Sequence, residues 1–297
     1  MVDSEPMRHS DGFTWAVLAL VVPLNACSGE GDDGSASTSG GTTTGGVEAN
    51  GGGATGGGGS SGSNPGLGGS SVDDAGAIGL GSDDTLQIWT VGDSITEGVN
   101  NGYRNGLWAA LTNAGYDVDL VGTLTHPYPR TAICPDADHD GHSGYTIGDI
   151  RAEIDGWYSE IIGPDVALVM AGTNDIAWWV APGADMADVA DEMLDLINHM
   201  LDLDSEMAVI VATIPPMSSE VVSDINRDRA ELTIEYNDAL LTKVAAHPAY
   251  GSRLWSVDVH SGLTVDDLYD GIHPDSDGHD KLADVWLAGL QPRLPAP

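Results

Sequence analysis

Positive charge is what this 297-residue chain has least of. Ten Lys and Arg stand against 46 Asp and Glu, for a formal net charge of −36 at pH 7. Residues 84–297 hold nine of the basic and 36 of the acidic side chains, so the excess belongs to the body of the chain. Nucleic-acid affinity rests on clustered Lys and Arg that displace counterions, and that class is excluded. The same charge repels an anionic lipid surface. It reads either as a solubilising surface or as an acidic patch with a dedicated partner. Cysteine is scarcer still: Cys27 and Cys134 lie on either side of a Gly-rich stretch and make no disulfide framework. Long apolar runs are missing too. Phe13–Leu24 (FTWAVLALVVPL) is well short of the ~20 residues that a helix needs to cross a bilayer.

That short run fits the apolar region of an export signal. Leu24-Asn25-Ala26-Cys27 at its end resembles a bacterial lipobox, with Cys27 as the lipidation site. Residues 1–27 are therefore expected to be a signal peptide, and the chain a secreted or surface (outer-membrane) lipoprotein of a bacterium that meets a membrane only through this anchor. Residues 28–84 are Gly, Ser, Thr and Asp with few apolar side chains, and contain about half of the 40 glycines. Such a composition buries too little apolar surface to offset its ordering entropy and reads as a linker. Residues 85–297 suit one domain with a substantial core.

Within that domain, apolar periodicity predicts strands over Leu86–Val91, Val118–Val121, Asp165–Ala171, Met207–Ile214 and Leu254–Val259. Helices are predicted over Tyr103–Ala114, Thr146–Ile161, Met186–Leu203, Asp228–Ala246 and Ser276–Leu290. The alternation implies an α/β fold, a three-layer α/β/α sandwich around a mainly parallel five-stranded sheet. Ligands of such sheets bind beyond the carboxyl ends of the strands.

Chemistry-bearing residues follow the strands as that rule requires. Val91-Gly92-Asp93-Ser94 ends the first strand, where Ser94 is either an exposed nucleophile or part of a helix cap. Gly172-Thr173-Asn174-Asp175 ends the third, where Asn174 either aims an amide at a developing oxyanion or makes an Asx turn. In Asp270-Gly271-Ile272-His273-Pro274 the glycine permits a tight turn, so the Asp270 carboxylate can reach Nδ1 of His273; the other reading is a surface loop.

In this order the three segments resemble the SGNH, or GDSL-type, hydrolases over roughly Leu86–Leu290. A fourth, Asp140-Gly141-His142-Ser143-Gly144-Tyr145-Thr146, is similar to carbohydrate esterase family 3. The resemblance implies a flavodoxin-like fold and a serine esterase with Ser94, Asp270 and His273 as catalytic residues. It implies an oxyanion hole from Ser94, Gly144 and Asn174. Gly122 competes with Gly144 for that place, but its strand-end setting, Val121-Gly122-Thr123, reads as structural. The implied substrates are short-chain acyl esters, acetyl first, on carbohydrate such as acetylated xylan. A short-chain lipid or lysophospholipid esterase and an idle carbohydrate-binding module are the rivals. No cofactor is implied, and a monomer is expected.

Four further residues are candidate substrate contacts: Asp93, His142, Trp178 and Trp179. His142 could instead brace the Gly144 turn, and the tryptophans could pack beneath their loop. Asp136, Asp138 and Asp140 match the start of a calcium loop, but Ile147 stands where the twelfth-position Glu is needed. An irregular Ca²⁺ site and a solvated acidic loop both stay open.

Overall fold

The structure, a computed structural model, describes residues 77–81, 84–98, 102–125, 136–181, 183–219, 221–222 and 227–297. The expected signal peptide, Cys27, Cys134 and nearly all of the linker lie outside the described residues. Among the described residues, no helix is long and apolar enough to cross a membrane.

Five strands form the main path of a parallel sheet: β1 (Leu86–Gly92), β2 (Val118–Val121), β4 (Val166–Met170), β5 (Ala208–Ala212) and β6 (Leu254–Val257), in the order β2-β1-β4-β5-β6. A sixth, two-residue strand, β3 (Asp140–Gly141), was absent from the sequence expectation. It takes over the edge of β1 where β2 stops: β2 pairs with Leu86–Trp89, β3 with Val91 and Gly92. The central strands β4 (VALVM) and β5 (AVIVA) are buried at every position, as strands covered on both faces must be.

The main helices are α2 (Gly102–Ala114), α3 (Ile147–Glu160), α4 (Met186–Leu203), α5 (Arg229–Ala245) and α6 (Ser276–Leu290). Helix α2 packs on α6, and α4 packs on α5 and α3. Chain order and right-handed crossovers put these groups on opposite faces, since β1→β2 runs one way along the sheet and β4→β5→β6 the other. In α3, Ile147, Ile150, Ile154 and Trp157 recur at helical spacing and all are buried. Thr146 and Asp149 close its start as a reciprocal capping box.

The packed core includes a residue upstream of the expected boundary. Ile78, within the stretch read as linker, is 3% exposed, and its N–H donates to the Arg293 carbonyl at 2.8 Å. Ile78 and Leu80 stand alternately with glycines in too short a run to establish a period, which is why the sequence pattern missed them.

Candidate active site

The strand order reverses direction around β1, and the crevice there is where a doubly wound sheet holds its ligand. The one-turn helix α1 (Ser94–Glu97) starts just beyond β1, with Asp93 as its cap; the Asp93 carboxylate accepts the Ile95 N–H at 2.9 Å. The other end of the turn is fixed by Arg104 of α2. That guanidinium is fully buried and donates to the carbonyls of Thr96 (2.9 Å), Glu97 (2.8 Å) and Ala137 (2.9 Å). It ties the Ser94 turn to the segment that leads into β3.

Ser94 Oγ lies 2.8 Å from His273 Nε2, and His273 Nδ1 lies 2.8 Å from Asp270 Oδ2. An ionised carboxylate can only accept, so Nδ1 carries the proton, and Nε2 is left to accept the Ser94 hydroxyl. The turn that makes this reach possible needs Gly271, whose φ is +85° and whose carbonyl accepts the Ser218 N–H at 2.8 Å. Asp270 Oδ1 accepts the N–H groups of Ile272 (3.0 Å) and His273 (2.8 Å). Partial burial pushes the Asp270 carboxyl up, but these hydrogen bonds and the His273 ring outweigh it and hold the group below the usual range.

The candidate oxyanion residues stand on the neighbouring strands. The His142 N–H donates to the Gly92 carbonyl at 2.9 Å, which pins the following turn to the end of β1. Gly144 sits in that turn, exposed, at φ +83°. Asn174 follows β4, and its Nδ2 donates to the Tyr145 carbonyl at 2.8 Å, one residue from Gly144. Gly122 packs against the backbone of His139 so closely that any side chain would collide, in keeping with a structural role.

The candidate substrate contacts fall elsewhere. Asp93 is completely buried beneath the turn, where burial raises its pKa against the opposing pull of the Ile95 N–H and Thr173. His142 stacks on Trp157 (4.1 Å, 5°) and Tyr145 (4.8 Å, 25°), which makes it a brace for the Gly144 turn. Trp178 and Trp179 are 60% and 71% exposed, so they do not pack beneath the loop, yet neither lines the cavity at Ser94. Arg229 covers Trp178 at 5.1 Å, and Trp179 borders a separate cavity beside Asp185.

The candidate calcium carboxylates do not converge. Asp136 accepts the Leu120 N–H and Asp138 the Thr125 hydroxyl (2.8 Å). Asp140 is buried and accepts Trp89 Nε1 at 2.6 Å and the Thr123 N–H at 3.2 Å. Each is spent on a donor from a different element, and among the described residues no group of three His, Cys, Asp or Glu could hold a metal.

The cavity at Ser94 has a volume of about 290 Å³ and is lined by Ser94, Glu97, Ser143, Tyr269, His273 and His279, among others. Sequence reasoning passed over Tyr269 and His279. The Tyr269 ring stacks on His273 at 5.7 Å. Asp175, next to Asn174, was also passed over: it is buried and accepts the first N–H of α3, from Ile147, at 3.2 Å.

Burial lifts Asp175 from 3.8 to about 6, with the Ile147 N–H pulling the other way. A raised carboxyl pKa gives stability that is full below the unfolded value and lost as pH rises through the folded one. Two units correspond to about 3 kcal/mol. The unfolding free energy of Asp175→Asn minus that of wild type is therefore expected to rise by about 2 kcal/mol between pH 4, where part of the effect is already spent, and pH 7.5. Urea unfolding at the two pH values checks this; a flat difference contradicts it.

A hydroxyl, an imidazole and a carboxylate in line at the carboxyl edge of a parallel sheet form the arrangement that acyl transfer through serine requires. The comparisons agree with this class. Residues 90–281 match the GDSL-like lipase/acylhydrolase family. A multidomain esterase of Ruminococcus flavefaciens is 30% identical over 237 residues, 71% of this chain, and this chain spans only 29% of that protein's length. A family 3 carbohydrate esterase of Clostridium thermocellum superposes with a TM-score of 0.58 at 27% identity, covering 70% of this chain and 96% of that one. An acetyl esterase mutant with an acetate ion gives 0.56 at 29% identity, covering 68% and 94%. The chain belongs to the GDSL-like lipase/acylhydrolase family and is a serine ester hydrolase of the SGNH type.

Proposed function

We propose that this enzyme removes short acyl groups, acetyl first, from carbohydrate esters through a Ser94 acyl-enzyme. The observation that carries the mechanism is the line from Ser94 Oγ through His273 to Asp270, with both contacts at 2.8 Å. His273 Nε2 takes the Ser94 proton as Oγ attacks the ester carbonyl, and Asp270 stabilises the imidazolium that forms. The oxyanion is met by the N–H groups of Ser94 and Gly144 and by the Asn174 amide, each such donor being worth ~10²–10³ in rate. The imidazolium returns its proton to the departing alcohol. Water, deprotonated by the same histidine, then attacks the acyl-enzyme and releases the acid.

Similarity to a carbohydrate esterase and to an acetyl esterase with acetate supports the acetyl and sugar parts of the reading. The test is acetate release from acetylated xylan beside p-nitrophenyl esters of increasing chain length. Activity on the xylan and a fall in kcat/KM beyond the acetyl or propionyl ester are expected. A preference for octanoyl ester or for lysophospholipid overturns the reading.

A further inference from the structure

A second and larger cavity, of about 520 Å³, opens between α2 and α6 beside the Ser94 cavity. Asn105, Ala109, Tyr269, Ser276, His279 and Asp280 are among its lining residues, and Tyr269 and His279 line both cavities. We propose that this second cavity is the subsite for a sugar unit on the alcohol side of the scissile ester, with the Tyr269 ring as its platform. The proposal rests on the carbohydrate-ester reading above.

The side is set by proton traffic. The departing alkoxide must collect a proton from His273 Nε2, so the alcohol leaves on the imidazole side of Ser94, while the carbonyl oxygen faces the oxyanion donors. The second cavity joins the first through the residues nearest that imidazole. Tyr269 stacks on the His273 ring at 5.7 Å and 19°, and neither Gly144 nor Asn174 borders the cavity.

The class of ligand follows from the walls. Among the described residues that line the cavity there is no Leu, Ile, Val, Met or Phe, so Ala109 and Pro274 are all the aliphatic side chain a fatty chain would meet. A pyranose finds what it needs: the aromatic ring of Tyr269, an exposed residue, and the polar side chains of Asn105, Ser276 and Asp280 for its hydroxyls. His279 adds an independent sign. It is only 5% exposed, and its Nδ1 is buried without a partner. Leaving a buried polar atom unpaired is destabilising, a cost that binding sites commonly carry. Burial, with His273 and Arg104 nearby, lowers the His279 pKa to about 4. The ring is therefore neutral at working pH and does not oppose the imidazolium formed on His273 during turnover.

The test compares kcat/KM on a mono-acetylated xylo-oligosaccharide with kcat/KM on methyl acetate, whose alcohol is too small to reach the second cavity. In Ala109→Trp, which fills the cavity, and in Tyr269→Ala, which removes the platform, the ratio of the two values is expected to fall about tenfold, mainly through KM for the saccharide. Tyr269→Trp, which restores an aromatic face, is expected to restore the ratio. Melting temperatures establish that each variant is folded. Tyr269 is exposed, so its variants serve if Ala109→Trp does not fold. A ratio that stays at the wild-type value in folded variants overturns the subsite. A wild-type enzyme that cleaves methyl acetate but not the acetylated saccharide overturns the carbohydrate reading itself, and the sugar subsite with it. That result is distinct, because it appears before any substitution is made.

Discussion

Ser94→Ala is expected to lose roughly 10⁶-fold in kcat on p-nitrophenyl acetate, with little change in KM or in melting temperature. The hydroxyl of Ser94 is the one that faces His273 Nε2, at 2.8 Å. The nearby hydroxyls are committed elsewhere: Ser143 donates to Glu97, and Thr96 is buried against Tyr103. Neither can therefore take over the attack. The turn itself should survive, because its cap is Asp93 and its clamp is Arg104, not the serine. His273→Ala is expected to lose about as much, and the double variant little more, since a nucleophile and its base act as one unit. Additive losses across the two would mean that they do not work together.

Asp270→Asn has the second-largest expected effect, roughly 10⁴-fold in kcat. The reason lies in how the carboxylate is held. One oxygen accepts two backbone N–H groups, from Ile272 and His273, while the other faces His273 Nδ1. An asparagine in that place must turn its carbonyl oxygen to the two backbone donors, which leaves its NH2 facing the ring. Nδ1 then has to accept, the ring proton moves to Nε2, and the imidazole can no longer receive the Ser94 proton. The geometry should persist while the rate collapses, so unchanged stability together with a large loss of kcat distinguishes this account from simple misfolding. A loss below tenfold would show that the tautomer is not what Asp270 controls.

Much of the fold was legible because its signals are local. The helix over Met186–Leu203 and the strand over Val118–Val121 come out with the expected bounds, and the alternation of strand and helix implied the parallel sheet that the structure has. What stayed hidden depends on tertiary partners. The two-residue strand Asp140–Gly141 exists only because β1 extends past β2 and leaves an edge to pair with. Arg104 gave no sign of its role, because its three acceptors come from Thr96, Glu97 and Ala137, which meet only in the folded chain.

The site divides the same way. Ser94, Gly144, Asn174, Asp270 and His273 each lie in short segments at the ends of strands or before the last helix, where residue order carries information. Tyr269 and His279 had no such segment, although Tyr269 immediately precedes Asp270 and His279 lies on the first turns of α6. An aromatic residue abutting the Asp-x-x-His segment was the one available signal. Trp178 and Trp179 illustrate the opposite error. Their nearness in sequence to Asn174 suggested a place at the substrate or beneath the loop, but on the π-helical turn Asp175–Trp179 they are exposed and outside the lining of the Ser94 cavity. The Asp136-x-Asp138-x-Asp140 spacing left a calcium site and an acidic loop both open, because spacing counts residues, whereas a metal site needs carboxylates that converge.

The most direct test is to trap the acylated residue. Wild-type enzyme and Ser94→Ala are incubated with a fluorophosphonate, digested, and examined by mass spectrometry. A single adduct on the peptide containing Ser94, loss of esterase activity in proportion to labelling, and no adduct in Ser94→Ala are the expected results. A modified peptide elsewhere in the chain, or full esterase activity in unlabelled Ser94→Ala, would contradict the Ser94 acyl-enzyme.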